Sequence, residues 1–267
     1  MEASLSGRVA LITGVSRRQG IGFAIARRCA AMGADIFLTH FRPHDVVQPW
    51  GPDEIPELLA ELRNGAPERS IAHMHADLGE AEACRVVVDA AVERFGHVDI
   101  LICNHARSGG DGPLMEVDAD ALDGHWRVNA RSSLLLTQAF ARQHDGRPGG
   151  RVIWMTSGQQ IGPMPGEVAY AASKATLAGV VATVADELVG TGILLNAVNP
   201  GPVNTGYLDP GTSHDPPNLE DVRRAFPQGR FGEPDDPARL IGWLVSDDGR
   251  WVVGQVINSD GGFRYIR

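Results

Sequence analysis

A single-domain, doubly wound parallel α/β sheet with helices on both faces is the fold class that this 267-residue sequence predicts. Three observations predict it. Seven short apolar runs recur at residues 9–12, 35–39, 70–74, 100–103, 152–155, 193–196 and 256–259; they are continuous rather than alternating, as strands buried on both faces read. Longer stretches with helical spacing separate the runs and are long enough for the crossovers that join parallel neighbours. Glycine turns and short polar side chains fall just after the runs, where sheets of this kind take their ligands.

The first run leads through Gly14, Gly20, Ile21 and Gly22 into a helix that begins at Phe23. Glycines there let backbone approach a pyrophosphate, and the helix N-terminus offers amide donors and a favourable dipole. The second run ends in Thr39, His40, Phe41 and Arg42. An acid about 20 residues beyond the glycines would hold the ribose 2′-hydroxyl of NAD, and none stands here. With Arg17, Arg18 and Arg42 available to meet a 2′-phosphate beside His40, the expected cofactor is NADP(H) rather than NAD(H). Residues 42–56, with Pro43, Pro49, Pro52, Pro56 and Trp50, read as an ordered irregular loop.

Asp77 and Leu78 follow the third run, and Asn104 and His105 follow the fourth. His105 is expected to hydrogen-bond neighbouring backbone. Asn129 sits in a helical stretch with Val128, Leu134, Leu135 and Leu136, surroundings too apolar for an ordinary exposed amide. The fifth run delivers Thr156 and Ser157, then a Gly/Pro loop, then the helix of Tyr170 and Lys174. Four residues along a helix return to the same face, so a phenol and an ammonium can meet at one point. After the sixth run come Pro200, Gly201, Val203 and Thr205. Residues 204–230, rich in Pro, Gly and Asp, suit a substrate lid, with Gly206 and Gly211 as hinges and Leu208, Leu219, Val222 and Phe226 as its apolar wall.

Composition bounds the rest. The chain, residues 1–267, fits one domain; its net charge of −9 and scattered basic residues argue against nucleic acid or an anionic membrane as partner. Cys29, Cys84 and Cys103 lack metal-ligand or CxxC spacing and read as reduced core thiols, so no metal is expected. No apolar run comes near the roughly 18 residues of a membrane span, and the first strand leaves no room for a signal peptide; the expected location is cytoplasmic.

In order and spacing, Thr13-Gly14-x5-Gly20-Ile21-Gly22, Asp77-Leu78, Asn104, Asn129, Ser157, Tyr170 with Lys174, Asn196-x3-Pro200-Gly201-Pro202-Val203-x-Thr205 and Gly254-Gln255-x4-Asp260-Gly261-Gly262 resemble the short-chain dehydrogenase/reductase family over nearly the whole chain. Two departures stand out. Five residues separate Gly14 from Gly20 where the family usually has three, and Cys103-Asn104-His105-Ala106 replaces its Asn-Asn-Ala-Gly.

The resemblance implies a Rossmann-like, NADP(H)-dependent oxidoreductase acting on a small carbonyl or alcohol substrate, most similar in general to 3-oxoacyl thioester reductases. Tyr170 would be the general acid, with a pKa lowered by Lys174, which also holds the nicotinamide ribose; Ser157 would orient the carbonyl. Asn129 would anchor a water linking Lys174 to solvent. Asp77 and Leu78 would lie on the adenine side of the cofactor, Asn104 on the ribose side, and Pro200, Gly201, Val203 and Thr205 at the carboxamide. A homotetramer or homodimer is implied, packed through the helices of Asn129 and Tyr170 and the C-terminal segment, with Ala171, Ala175, Ala178 and Ala182 as a small-residue face. Two rivals remain. The stretched glycine loop is similar to that of the family's enoyl reductases, although those usually space Tyr and Lys seven apart rather than four. A cofactor-binding protein without catalysis is the other, and an intact Asn129, Ser157, Tyr170 and Lys174 argues against it.

Overall fold

A computed structural model of the chain describes residues 4–209 and 219–264. All seven apolar runs are strands: β1 (Val9–Ile12), β2 (Asp35–His40), β3 (Ile71–His75), β4 (Ile100–Cys103), β5 (Gly150–Met155), β6 (Ile193–Asn199) and β7 (Val256–Asn258). They form one sheet in the order β3-β2-β1-β4-β5-β6-β7, every neighbouring pair parallel. Strand order reverses between β1 and β4, which opens a crevice at their carboxyl ends.

Helices cover both faces. On one side lie α1 (Ile21–Ala31), α3 (Ile55–Gly65) and α9 (Asp235–Val245), contributing Phe23, Ile25, Leu58 and Ile241 to a core shared with Ala10, Ile12, Ile100 and Ile102. On the other lie α4 (Ala81–Phe95), α6 (Ser132–Gln143) and α7 (Val168–Val189), whose Val88, Phe140 and Leu177 pack on Val9, Leu11 and Leu101. Alternate strand residues thus feed opposite cores, which is why the runs had to be apolar throughout. Each fully buried Leu, Ile or Phe contributes about 1.5–3 kcal/mol, so these two layers supply the stability. Trp154 is fully buried, its indole donating to Thr137 Oγ1 at 2.9 Å.

Several expectations change. Residues 42–56 are not wholly irregular, because Pro43 pre-sets the first turn of a short helix, α2 (Arg42–Val46), and α3 already begins at Ile55. Between α5 (Ala119–His125) and α6 the chain makes a π-helical turn, Trp126–Arg131, that carries Asn129. By length and mean hydropathy α7 does reach the range of a membrane span. Its alanines and valines raise the average around Lys174, while its inner face, including Ser173, Lys174, Leu177 and Val181, lies on the sheet. In the expected small-residue face, Ala178 is buried rather than outward, whereas Ala175 and Ala182 are exposed.

In the expected lid, residues 210–218, including the proposed hinge Gly211, lie outside the described residues; α8 (Leu219–Arg224) follows them. Phe226 does not form a wall over the crevice. It is buried in an aromatic cluster with Phe231 and Phe263, at ring separations of 6.3 and 4.8 Å. The three cysteines are unpaired and buried, as expected, and loss of hydration pushes Cys29 up to about 12 and Cys84 up to about 11.

Candidate active site

The crevice begins at the turn after β1. Gly14 has φ +71°, and a Cβ there would stand 2.6 Å from the Cα of His105, so only glycine lets the ends of β1 and β4 come this close. Asn104 fastens the same approach, donating Nδ2 to the carbonyls of Thr13 and Gly14, both at 3.1 Å. Its amide is therefore spent on the turn. Gly20 stands at the N-cap of α1 with no side chain capping the helix, which leaves the first-turn amides open to an anion.

The two additional residues in this turn aim both arginines at the segment after β2. Arg17 Nε lies 3.4 Å from Asp45 and its guanidinium sits over Trp50, 5.1 Å from the ring centroid. Arg18 pairs with Asp53 at 3.0 Å and Arg42 with Glu54 at 2.5 Å. The three arginines expected to be available are thus each neutralised by an acid between residues 45 and 54. Asp45 is buried and also accepts the Ser16 hydroxyl at 2.6 Å. Next to this group His40 packs among His73 and His75, with ring centroids 5.3 and 5.8 Å away, and burial depresses its imidazole to about 4. Its Nδ1, with Arg42 Nε and Trp50 Nε1, is buried without a hydrogen-bond partner.

His105 is held by side chains as well as by the expected backbone, at Val128. Its Nδ1 lies 2.6 Å from Thr13 Oγ1 and its Nε2 2.6 Å from Ser132 Oγ. Ser132 donates its own proton to the Val128 carbonyl and can accept Nε2–H, while the Thr13 hydroxyl, which accepts the Asn104 amide, has Nδ1 at 2.6 Å and the Ile102 carbonyl at 3.2 Å as acceptors for its one proton. Burial, helped by the nearby Lys174 charge, holds this ring neutral, with a pKa of about 3. It joins β1, β4 and α6, a structural task.

At the ends of β5 and β6 the remaining residues converge. Ser157 has extended backbone and begins a short 3₁₀ turn, Gly158–Gln160; its hydroxyl faces the phenol of Tyr170 and favours the phenolate. Lys174, one turn along α7, is buried, donates to the Met155 carbonyl at 2.9 Å, and has its Nζ 5.8 Å from the Tyr170 ring centroid. The expected lowering of the phenol is absent from the protein without cofactor. Loss of hydration dominates and pushes Tyr170 up to about 12 against the opposing pull of Ser157, while burial brings Lys174 down to about 8.

Asn129 is fully buried, and its side chain is occupied by protein. Oδ1 accepts the Arg107 amide at 2.7 Å, and Nδ2 donates to the Arg107 carbonyl at 3.1 Å and Ser173 Oγ at 3.0 Å. It clamps the strand-β4 loop to α7, a different task for this side chain from the water anchor implied by resemblance. Two neighbours were not singled out from sequence. His125 lies edge-on to Tyr170 at 6.1 Å, and Asp111 bonds the backbone at the start of α7.

Asp77 and Leu78 close the turn after β3: Asp77 Oδ1 accepts the Gly79 amide at 2.8 Å and Leu78 is buried. After β6, Asn199 Oδ1 accepts the Gly201 amide at 3.0 Å. Gly201 has φ +65°, and a Cβ would meet that of Asp260 at 2.5 Å, which ties Pro200 and Gly201 to the turn after β7. Val203 is buried and bridges to Gly232, and Thr205 follows, half-buried, in the next turn.

Known proteins share this arrangement. A family model described as enoyl-(acyl carrier protein) reductase matches residues 14–264. Uncharacterized oxidoreductase YjdA of Bacillus subtilis is 39% identical over 265 residues, covering 96% of each chain. The NADPH-dependent aldehyde reductase-like protein, chloroplastic, of Arabidopsis thaliana is 34% identical over 261 residues, covering 97% of this chain and 95% of its own. A solved short-chain dehydrogenase from Burkholderia cenocepacia in complex with NADP has a TM-score of 0.82 at 33% identity, covering 97% of this chain and 98% of that one. With the seven-stranded parallel sheet and the ordered motifs along it, these likenesses identify the chain as an enzyme of the short-chain dehydrogenase/reductase family of oxidoreductases.

Proposed function

We propose that the protein is an NADP(H)-dependent carbonyl reductase or alcohol dehydrogenase with Tyr170 as its general acid and base. The observation that carries this reading is the Tyr170 phenol facing Ser157 with the Lys174 ammonium 5.8 Å from its ring centroid, at the carboxyl ends of the strands. The nicotinamide, when bound, supplies or accepts the hydride. Tyr170 gives its proton to the carbonyl oxygen as negative charge builds there, and Ser157 donates a second hydrogen bond to the same oxygen. A phenol held up to about 12 keeps its proton near neutral pH, which suits reduction of a carbonyl. Lys174, buried against the strand end, supplies positive charge to the phenolate left behind.

The residues fit a dinucleotide. Gly14 lets the turn after β1 close against the end of β4, and the uncapped start of α1 suits a pyrophosphate. For NADP(H), the support is the absence of an acid at the end of β2 and the three unpartnered polar atoms, His40 Nδ1, Arg42 Nε and Trp50 Nε1, in one neighbourhood. Pro200, Gly201, Val203 and Thr205 would face the carboxamide, and Asp77 and Leu78 the adenine side. The segment from residue 204 would fold over substrate; it already runs close to the cofactor end, where a Cβ on Gly206 would stand 3.2 Å from Trp50 and 3.3 Å from Arg17. Exposed Ala172, Ala175, Gly179 and Ala182 on α7 would support a dimer or tetramer, and three unpaired thiols a reducing, cytoplasmic location.

The test is NADPH and NADH oxidation against a panel of aldehydes, ketones and α,β-unsaturated thioesters. Turnover of carbonyls with NADPH, lost in Tyr170→Phe, is expected. Reduction of carbon-carbon double bonds alone would favour the enoyl reductase reading, although the four-residue spacing of Tyr170 and Lys174 supports carbonyl chemistry.

A further inference from the structure

Glu167 stands at the N-cap of α7, yet its side chain makes no capping bond. The amides of that first turn are taken by a residue far back in the chain. Asp111, between β4 and α5, accepts the Ala169 amide through Oδ1 at 3.0 Å and the Tyr170 amide through Oδ2 at 2.7 Å, across 58 and 59 residues of sequence. Oδ1 also accepts the amide of Gly112 at 2.8 Å. Both oxygens are therefore used, one on each of two consecutive amides. The loop that carries Asp111 is itself held: Asn129 brackets the Arg107 backbone and His125 Nε2 reaches the Gly109 carbonyl at 3.2 Å.

We propose that Asp111 is a positioning residue for the reaction, a two-pronged cap supplied from another loop that sets the height and direction of the first turn of α7, and with it the Tyr170 phenol relative to Ser157. The inference rests on the reading of Tyr170 as proton donor. Tyr170 is the third residue of its helix, in the turn where a helix frays first. Ser157 and Lys174, by contrast, are fixed on the β5 end and one turn deeper in the helix. Without the cap the donor moves while its partners stay, and a misplacement of about 1 Å can cost on the order of 100-fold in rate.

A second effect is electrostatic. The carboxylate sits at the positive end of the helix dipole and offsets it, so it favours the protonated phenol. The other charged or titratable groups facing Tyr170 are Lys174 and Glu167 on α7 and His125 at the end of α5. Substituting Asp111 removes a negative charge from this set and lowers the phenol.

The experiment compares wild type, Asp111→Ala, Asp111→Asn and Tyr170→Phe in NADPH-dependent reduction of para-nitrobenzaldehyde across pH. It adds the NADPH dissociation constant, melting temperature and hydrogen exchange at residues 168–171, none of which needs turnover. Asp111→Ala is expected to lose about tenfold or more in kcat with NADPH affinity within about twofold, and to exchange these amides faster. Asp111→Asn, which keeps one acceptor and the volume, should fall between, with the kinetic pKa of the acid moved down. Wild-type exchange and wild-type kcat in both variants would overturn the inference, as would equal losses in kcat, NADPH affinity and melting temperature. Full turnover by Tyr170→Phe would instead defeat the proton-donor reading, and the exchange data would still report on the cap.

Discussion

At the end of the crevice proposed to be catalytic, Asn129, Lys174 and Ser173 are all buried and bonded to one another's elements, and Asp111 and Ser157 reach Tyr170 from two further segments. At the other end, around residues 42–54, Arg18–Asp53 and Arg42–Glu54 are ion pairs with one partner at least a third exposed. The first region is a fixed scaffold, where Asn129, Ser173 and Lys174 each have a backbone or side-chain partner that cannot be exchanged without moving an element. The second is a set of exchangeable pairs, in which a phosphate can take the place of a carboxylate at little cost. On the proposed reading, chemistry would reside where exchange is forbidden, and cofactor choice where it is easy.

Four substitutions break or sharpen that contrast. Tyr170→Phe removes the proton donor while keeping the ring, and turnover should fall by about 100-fold to 10,000-fold with NADPH binding intact; steady-state kinetics with a carbonyl panel decide it. Lys174→Met tests the buried charge through stability. Lys174 is lowered in the fold from 10.5 to about 8, so the folded protein binds its proton less well than the unfolded chain. That penalty is complete below pH 8 and is relieved as pH rises toward 10.5, a gain of roughly 3 kcal/mol at 1.36 kcal/mol per unit. The raised thiols and phenol act the other way above about pH 9 and are common to both proteins. The stability difference between cofactor-free wild type and Lys174→Met in denaturant melts should therefore shift in favour of wild type by about that amount between pH 8 and 10.5.

Asp45→Asn leaves Arg17 without its partner. The cofactor-free protein should lose about 1–3 kcal/mol, while NADPH binds several-fold tighter because its 2′-phosphate meets an unneutralised cation. Melting curves with NADPH and with NADH check this. Weaker NADH binding with NADPH unchanged would make Asp45 the acceptor of a ribose hydroxyl and overturn the NADP(H) reading. Glu54→Gln, at an exposed pair, should change stability by less than about 0.5 kcal/mol and steepen the salt dependence of NADPH affinity slightly.

The strands, the glycine turn and the shared helix of Tyr170 and Lys174 were legible because each is written in a local period or a fixed short spacing. What was hidden depends on groups brought together from afar. Asp111 meets Tyr170 across 59 residues and His105 meets Thr13 across 92, and neither pair leaves a periodic trace. Arg17, Arg18 and Arg42 read as available because their carboxylate partners lie in a proline-rich segment whose course no pattern specifies. The phenol was misjudged for a related reason: a charge four residues away is visible in sequence, whereas the loss of hydration that outweighs it is a property of the packed crevice.

The place of β1 has a consequence for how the chain is made. Of the seven strands it is the first to be synthesised, yet it lies inside the sheet between β2 and β4, and Val9 is bonded to Asp99 across 90 residues. At about 5–20 residues per second, a ribosome needs roughly 5–20 s to produce that partner, and until then one apolar edge of β1 has nothing to pair with. Contacts of such long range make folding slow. Removing residues 9–12 would accordingly do more than trim an end: it would part β3 and β2 from the four strands that carry Ser157 and the loops around Tyr170.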